Sequence, residues 1–409
     1  MMTFLKIAWR NITRSKRRSC ITISAVGFGV GALIFIWGFV EGAHRQMIEN
    51  YTSLLTSDIQ IHQKGFHQSQ KLETHLLNPE TLLVALEKNA QIKANAPRIK
   101  AVGLVSSSES SSGVMILGVD PEKESSVSTL HRRIKTGAFL DMERDSGIIL
   151  GATLAKNLNV SIDDKIVLMS QALDGSIASG AFIIQGLLDT GTEEIDKGLA
   201  LITLRAAQEL FVMPRAISEI AIRLNPAAES RTTARKLKDI LPQNSDLEIL
   251  PWQEVSPSFQ QWIEFDNGFI WIIVFVVMIV VAIGILNTVL MGVLERTREF
   301  GILLALGTKR QEIITMVAWE SFFLGTIGSL MGLLLGLALN TYFGKTGIDL
   351  TAFTKALNSF YIDSVIYPSL NVTHSAVSVM LVLTTSIVVS IYPAFHAANL
   401  KPVEAIRSL

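Results

Sequence analysis

Residues 268–312 read GFIWIIVFVVMIVVAIGILNTVLMGVLERTREFGILLALGTKRQE, and the way this stretch divides decides the fold. Residues 268–294 carry no charged side chain, whereas residues 295–312 hold Glu295, Arg296, Arg298, Glu299, Lys309, Arg310 and Glu312. An uncharged run of this length exceeds the roughly 20 residues a helix needs to cross about 30 Å of hydrocarbon. Placing the charged residues that follow near a bilayer centre would cost roughly 2.5 to 3.5 kcal/mol each for most charged types. The chain is therefore expected to cross a membrane over 268–294 and to leave it over 295–312.

The same reading extends outward. Apolar runs also occupy Ser19–Val40, Ile313–Phe343 and Val372–Phe395, and Glu320 is the one Asp, Glu, Lys or Arg in all four. Only 18% of the chain is charged and its mean hydropathy is +0.39, which fits a membrane class. Four spans follow, at 19–41, 268–294, 313–343 and 372–396. Lys6, Arg10, Arg14, Lys16, Arg17 and Arg18 precede the first, and Arg296, Arg298, Lys309 and Arg310 follow the second. The tail, residues 397–409, adds Lys401 and Arg407, while Lys345 and Lys355 face Asp349 and Asp363 in the 344–371 loop. The positive-inside rule then predicts cytoplasmic termini, with residues 42–266 and 344–371 outside. In residues 1–18, Leu5, Ala8, Trp9 and Ile12 share a helical face, as in a helix lying at the inner interface.

The start has a basic region before an apolar one, but the run is too long for a signal peptide and no small-residue cleavage site follows. The lone cysteine, Cys20, precludes an internal disulfide framework. Within 42–266, SDIQIHQKG alternates as a half-buried strand, NPETLLVALEK suggests a helix opened by Asn78, and VGLVSSSESSSGVMILGVD suggests two strands around a serine turn. SGIILGATLAKNLNVSIDDKIVLMS suggests strand, helix, turn, strand, and AFIIQGLLDTG another strand. LITLRAAQELF and ESRTTARKLKDIL suggest helices and EIAIRL a strand, so the region reads as α+β with a β-rich middle.

Chemical motifs are sparse. Gly344-Lys345-Thr346 resembles the end of a phosphate-binding loop, yet Leu339 stands where its first glycine belongs. H-E-x-x-H and G-x-S-x-G are absent, and His62 and His67 read as exposed strand polars. No catalytic, cofactor or metal residues are expected, and no nucleic-acid partner. Gly328, Gly332 and Gly336, and likewise Gly27 and Gly31, recur every fourth residue, which predicts close helix packing. Glu320 is a possible intramembrane polar site, read as capping or interfacial hydrogen bonding because the other spans supply no second carboxylate for a relay. Within 295–312, Phe300, Ile302, Leu303 and Leu304 form the apolar part of a short helix ended by Ala305-Leu306-Gly307, and Thr308 with Gln311 reads as a capping box.

ERTREFGILLALGTKRQEI closely resembles the cytoplasmic coupling segment of the type VII ABC permeases, the superfamily of lipoprotein-releasing, macrolide-export and cell-division permeases. AWRNITRSKRRSCITISAVGFGVG resembles their entry helix and first span. GVDPEKESSVSTLHRRIKTGAFL and SGIILGATLAKNLNVSIDDKIVL resemble their periplasmic domain, and YPAFHAANLKPVEAIRSL their closing segment. The periplasmic blocks look closest to the lipoprotein-releasing branch.

The resemblance implies an α-helical membrane protein of four transmembrane helices with a large extracytoplasmic α+β domain. That domain would have a porter-like part from both ends of residues 42–266 and a β-rich part near 121–200. It implies a bacterial inner-membrane subunit without catalysis of its own, in which Arg298, Glu299, Gly301, Leu304, Gly307 and Thr308 couple to a separate ABC ATPase. ATP and magnesium would bind on that ATPase, present in two copies, with a second permease, membrane lipids and lipidated or hydrophobic cargo as further partners. Work would pass by mechanotransmission, releasing lipoproteins toward the outer membrane. The alternatives are efflux of a periplasmic drug or peptide, or control of an extracytoplasmic enzyme. One departure stands out: the loop SQALDGSIASG, before a strand expected from Ala181, is too short for the hook with which some lipoprotein-releasing permeases recruit a carrier.

Overall fold

The computed structural model describes residues 10, 11, 14, 16–226, 228–240, 246–358 and 360–407. Much of the interfacial helix expected over residues 1–18 (1–9, 12, 13 and 15) lies outside them. The chain forms two compact units, one of Met1–Arg45, Ile263–Thr351 and Val365–Leu409, the other of Gln46–Trp262 and Ala352–Ser364.

In the first unit, four helices are long and apolar enough to cross a membrane. They run Lys16–Tyr51, Pro257–Glu295, Arg310–Thr346 and Val372–Ala398. At about 1.5 Å per residue the longest reach well beyond about 30 Å of hydrocarbon, so helix continues past the apolar runs. The buried core of this unit joins Val26, Val30, Val281, Ile285, Val289, Val317 and Val382. Large apolar side chains such as Phe28, Phe265, Phe275 and Leu334 remain exposed, which lipid tolerates and water does not.

The second unit is built on a ten-stranded sheet. Its strands are β1 (Ile59–Gln63), β2 (Leu76–Leu77), β3 (Ile92–Ser106), β4 (Ser111–Val119), β5 (Ile134–Gly137), β6 (Gly147–Gly151), β7 (Lys165–Gln171), β8 (Ile177–Leu188), β9 (Leu199–Thr203), β10 (Ala216–Ile217), β11 (Glu219–Leu224) and β12 (Leu247–Pro251). The order in the large sheet is β12-β1-β11-β3-β4-β9-β6-β8-β5, with β7 pairing β3 and β8, while β2 and β10 pair separately. Strands from the two ends of the segment therefore lie together at one side, and those from its middle at the other. Core positions such as Ile99, Ile116, Ile148, Leu168, Ile184 and Ile202 are sealed from solvent, so burial of alternate faces fixes the strand register.

Four sequence readings are corrected. LITLRAAQELF is not all helix: Leu199–Thr203 is strand β9, and the helix begins at Leu204 with the Thr203 hydroxyl accepting from the Ala206 N–H at 3.1 Å. The helix read as opened by Asn78 starts at Glu80 with Pro79 at its cap, because Asn78 takes φ +48. Strand β8 starts at Ile177, not Ala181, so β7 and β8 form a hairpin whose loop is only Ala172–Ser176. His62 is not exposed; it is fully buried on β1 between β11 and β12. Periodicity saw a two-sided alternation there, whereas the second face is covered as well.

A strap from between the third and fourth long helices completes this unit. Asn50 donates from Nδ2 to the Tyr361 carbonyl at 2.9 Å, and the Phe360 ring stacks on Trp262 with centroids 5.3 Å apart. Tyr361 stands edge-on to Tyr51 at 5.1 Å.

Candidate functional site

The segment between the second and third long helices is a short helix, Thr297–Ala305, held at both ends. Arg296 breaks the preceding helix with φ −109 and ψ 18. At the far end Gly307 takes φ +90, a conformation that disfavours any residue with a Cβ. Its N–H donates to the Leu304 carbonyl at 3.1 Å and the Thr308 N–H to the Leu303 carbonyl at 3.0 Å, the pairing of a Schellman stop. The third long helix then begins one residue later than Thr308 and Gln311 suggested: Lys309 is its cap residue and donates its N–H to Glu312 Oε2 at 2.9 Å.

One face of the short helix is fixed inward. Phe300 is 1% exposed and packs with Val293, Ile313, Met316, Ala394 and Ala397, and Gly301 is buried beside it. Leu303 and Leu304 lie partly buried against the same cluster. Arg296 sits at the centre of a charge network, with its guanidinium 5.1 Å from the Phe300 ring centroid. It donates to Glu299 at 2.8 Å and to Glu320 at 3.2 Å, while Arg14 donates to Glu299 at 3.0 Å and Arg18 pairs with Glu295. The hydrogen bond from Arg296, with help from Arg14, holds the Glu299 carboxyl below its usual range.

The other face is open. Arg298, Ile302, Ala305 and Leu306 are exposed, Leu306 to 79%, and their spacing of four, three and one places them on one side of the helix. Gly307 is exposed and Thr308 half-buried beyond it. Among the six residues expected to couple to an ATPase, the structure thus puts Arg298 and Gly307 at the surface and Gly301 in the interior. Leu304 lies against the core and Glu299 in the ion network. Ile302 and Leu306 share the open face and were missed; the repeated four-residue step from Arg298 was their signal in the sequence.

The glycines form a seam. A Cβ on Gly332 would lie 2.5 Å from the Gly27 carbonyl oxygen, and one on Gly328 2.6 Å from Val26. Gly31 and Gly336 make equally close approaches, to Leu335 and Ile34, so the first and third long helices pack with almost no side chain between them. The seam continues to Asn340, which is buried and donates to the Ile34 carbonyl at 3.0 Å and the Gly336 carbonyl at 3.1 Å. Glu320, 19% exposed at its side chain, accepts from Arg296, so the carboxylate within the spans is partnered by a cation from the linker.

Among the described residues, no group of three or more His, Cys, Asp or Glu could hold a metal ion. Comparison with known proteins gives matches along most of the chain. The description "MacB-like periplasmic core domain" matches residues 19–240, and "FtsX-like permease C-terminal" matches residues 271–402. The chain is 23% identical to the lipoprotein-releasing system transmembrane protein LolC of Neisseria meningitidis serogroup B, covering 95% of this chain and 93% of that one. It is 24% identical to LolE of Haemophilus influenzae over the full length of both. It is also 24% identical to the macrolide export ATP-binding/permease protein MacB of Nitrobacter winogradskyi, over 95% of this chain but 58% of that protein.

Proposed function

From the premise that this chain belongs to the family of the MacB-like periplasmic core domain and is a type VII ABC permease, we propose that it is the membrane subunit of a lipoprotein-releasing transporter. The observation that carries the reading is end-to-end similarity to LolC and LolE, whose lengths it covers at 93% and 100%. On this reading the chain hydrolyses nothing. ATP and magnesium act on a separate ABC ATPase, which docks against the open face of Arg298, Ile302 and Leu306 from the cytoplasm. Both termini lie on that side and residues 46–262 lie in the periplasm of a bacterial inner membrane. Two permeases and two ATPases assemble, and nucleotide-driven movement reaches the periplasmic domains through the long helices.

The MacB similarity favours a second reading, export of a hydrophobic drug or peptide from the periplasm. The five-residue β7–β8 loop, Ala172–Ser176, fits a system in which this chain does not itself recruit a carrier. Depletion of the protein distinguishes the two. Lipoproteins retained in the inner membrane support release, whereas normal sorting with raised drug sensitivity supports export.

A further inference from the structure

The external unit contains a cavity of about 720 Å³ that the permease reading leaves unused. One wall is aromatic. Tyr51 stacks on Phe259 with centroids 4.0 Å apart, and Tyr361 stands edge-on to both, at 5.1 Å and 6.1 Å. Met115 and Leu117 add apolar surface.

The lining also carries an unbalanced charge. Arg98, 1% exposed, donates to both oxygens of Glu124, at 2.9 Å and 2.7 Å, and to Glu219 at 3.3 Å. Glu124 is 0% and Glu219 2% exposed. One guanidinium therefore faces two buried carboxylates, and one negative charge is left without a cation. Glu219 is the member of this triad that lines the cavity. Lys100 and the exposed Glu194 line it too, with charges that offset each other.

His62 faces Glu219 across the β1–β11 pair and Glu248 across the β1–β12 pair, with the His67 ring parallel to its own at 6.0 Å. It lines the cavity and is fully buried; its Nδ1 lies 3.5 Å from Glu248 Oε2, while its Nε2 has no hydrogen-bond partner among the described residues. An uncompensated charge and unpartnered polar atoms are both costly away from water, and a bound group that satisfies them recovers that cost. Aromatic faces attract cations through their quadrupole.

We propose that this cavity is a binding site for a primary ammonium carried on an apolar or aromatic body. The ammonium sits between Glu219 and the rings of Tyr51, Phe259 and Tyr361, and the body fills the apolar side. A small amine and a lysine-bearing peptide both present this chemistry. The site is independent of the cargo assignment, so its failure leaves the permease reading intact.

The test uses the full chain in lipid nanodiscs and isothermal titration with phenethylammonium, its neutral analogue 2-phenylethanol and the anion 3-phenylpropionate. The ammonium is expected to bind at least about 10-fold more tightly than the alcohol, with the anion weakest. Glu219→Gln keeps an acceptor for Arg98 while removing the charge, and should erase the preference. Phe259→Leu should weaken the ammonium about 5-fold. Because a proton on His62 supplies the same positive charge, and burial holds that imidazole below its ordinary range, binding should also weaken only once pH falls below about 6.5 toward the depressed value. A peptide with lysine between two phenylalanines, tested alongside, assigns the source: tighter binding than phenethylammonium points to a peptide, weaker to a small amine. Thermal melts confirm that each variant is folded. Equal affinity for the ammonium and the alcohol, or an unchanged preference in folded Glu219→Gln, overturns the proposal.

Discussion

Arg296 donates through Nη1 to Glu320 at 3.2 Å, joining the residue that breaks the chain after the second long helix to the carboxylate inside the third. The two side chains are 18% and 19% exposed, so each is largely withdrawn from water, and Arg296 is held between Glu320 and Glu299. Removing the acid alone strips the largely buried guanidinium of one of its two carboxylates and leaves it paired with Glu299 only, so the loss is costly but partly offset. Glu320→Leu should lower stability by roughly 2 kcal/mol, and Glu320→Gln by less, since an acceptor remains. Thermal unfolding in nanodiscs reads both; equal losses would mean the charge is irrelevant.

The short inner helix separates docking from folding. Ile302→Glu and Leu306→Glu change exposed positions and should abolish co-purification of an ABC ATPase while leaving the melting temperature within the usual range of surface substitutions, about 0.5 kcal/mol. Phe300→Ala empties a buried site and should cost about 3 to 5 kcal/mol. A complex that survives both charged substitutions removes the open face from the contact.

The glycine seam can be probed one methyl at a time. Gly332→Ala drives a Cβ to 2.5 Å from the Gly27 carbonyl and should destabilise by about 1 to 3 kcal/mol through overpacking. Gly284 lies in a long helix with open space around its Cβ direction, so Gly284→Ala should be neutral or gain up to about 1 kcal/mol. Comparable melting curves for the two would mean that the first and third helices separate readily.

Burial pushes the His62 imidazole below its ordinary range, against the opposing pull of Glu219 and Glu248. The folded protein therefore holds His62 neutral while the unfolded chain binds a proton below about pH 6.5. Stability is fully present above that value and falls as pH drops from it toward the depressed folded value. His131 is shifted the same way by burial and Arg132, so acid sensitivity should be reduced, not abolished, in His62→Gln. Denaturant midpoints across this pH range give the answer; an unchanged slope in the variant assigns the sensitivity elsewhere.

Much of this architecture was legible because solvation leaves little choice. Runs such as Gly268–Leu294 admit few structures outside a membrane, and Glu295 to Glu299 cannot remain in one. Strands flanked by turn residues, such as β3 and β4 around Ser107–Ser110, were also visible. What escaped was tertiary. Local pattern made His62 a surface residue, since the rings of Phe66 and His67 that lie against it belong to a later turn of chain and no alternation of polar and apolar residues announces them. The Arg98–Glu124–Glu219 triad joins residues up to 121 positions apart, and no local spacing announces it. On the inner segment, composition identified a short amphipathic helix, but which side faces in depends on where Phe300 finds its pocket.

The strap of Ala352–Ser364 makes the gene's boundary for the external domain differ from the folded one. A fragment expressed from residues 46–262 alone would omit Phe360 and Tyr361, laying bare the stacking face of Trp262 and an edge contact of Tyr51, and would lose one of the three rings of the cavity's aromatic wall. Such a truncate should be sticky and less stable than its parent. A redesigned fragment would need the distant strap grafted back through a linker, and swapping this domain between relatives would require exchanging two separate stretches of coding sequence together.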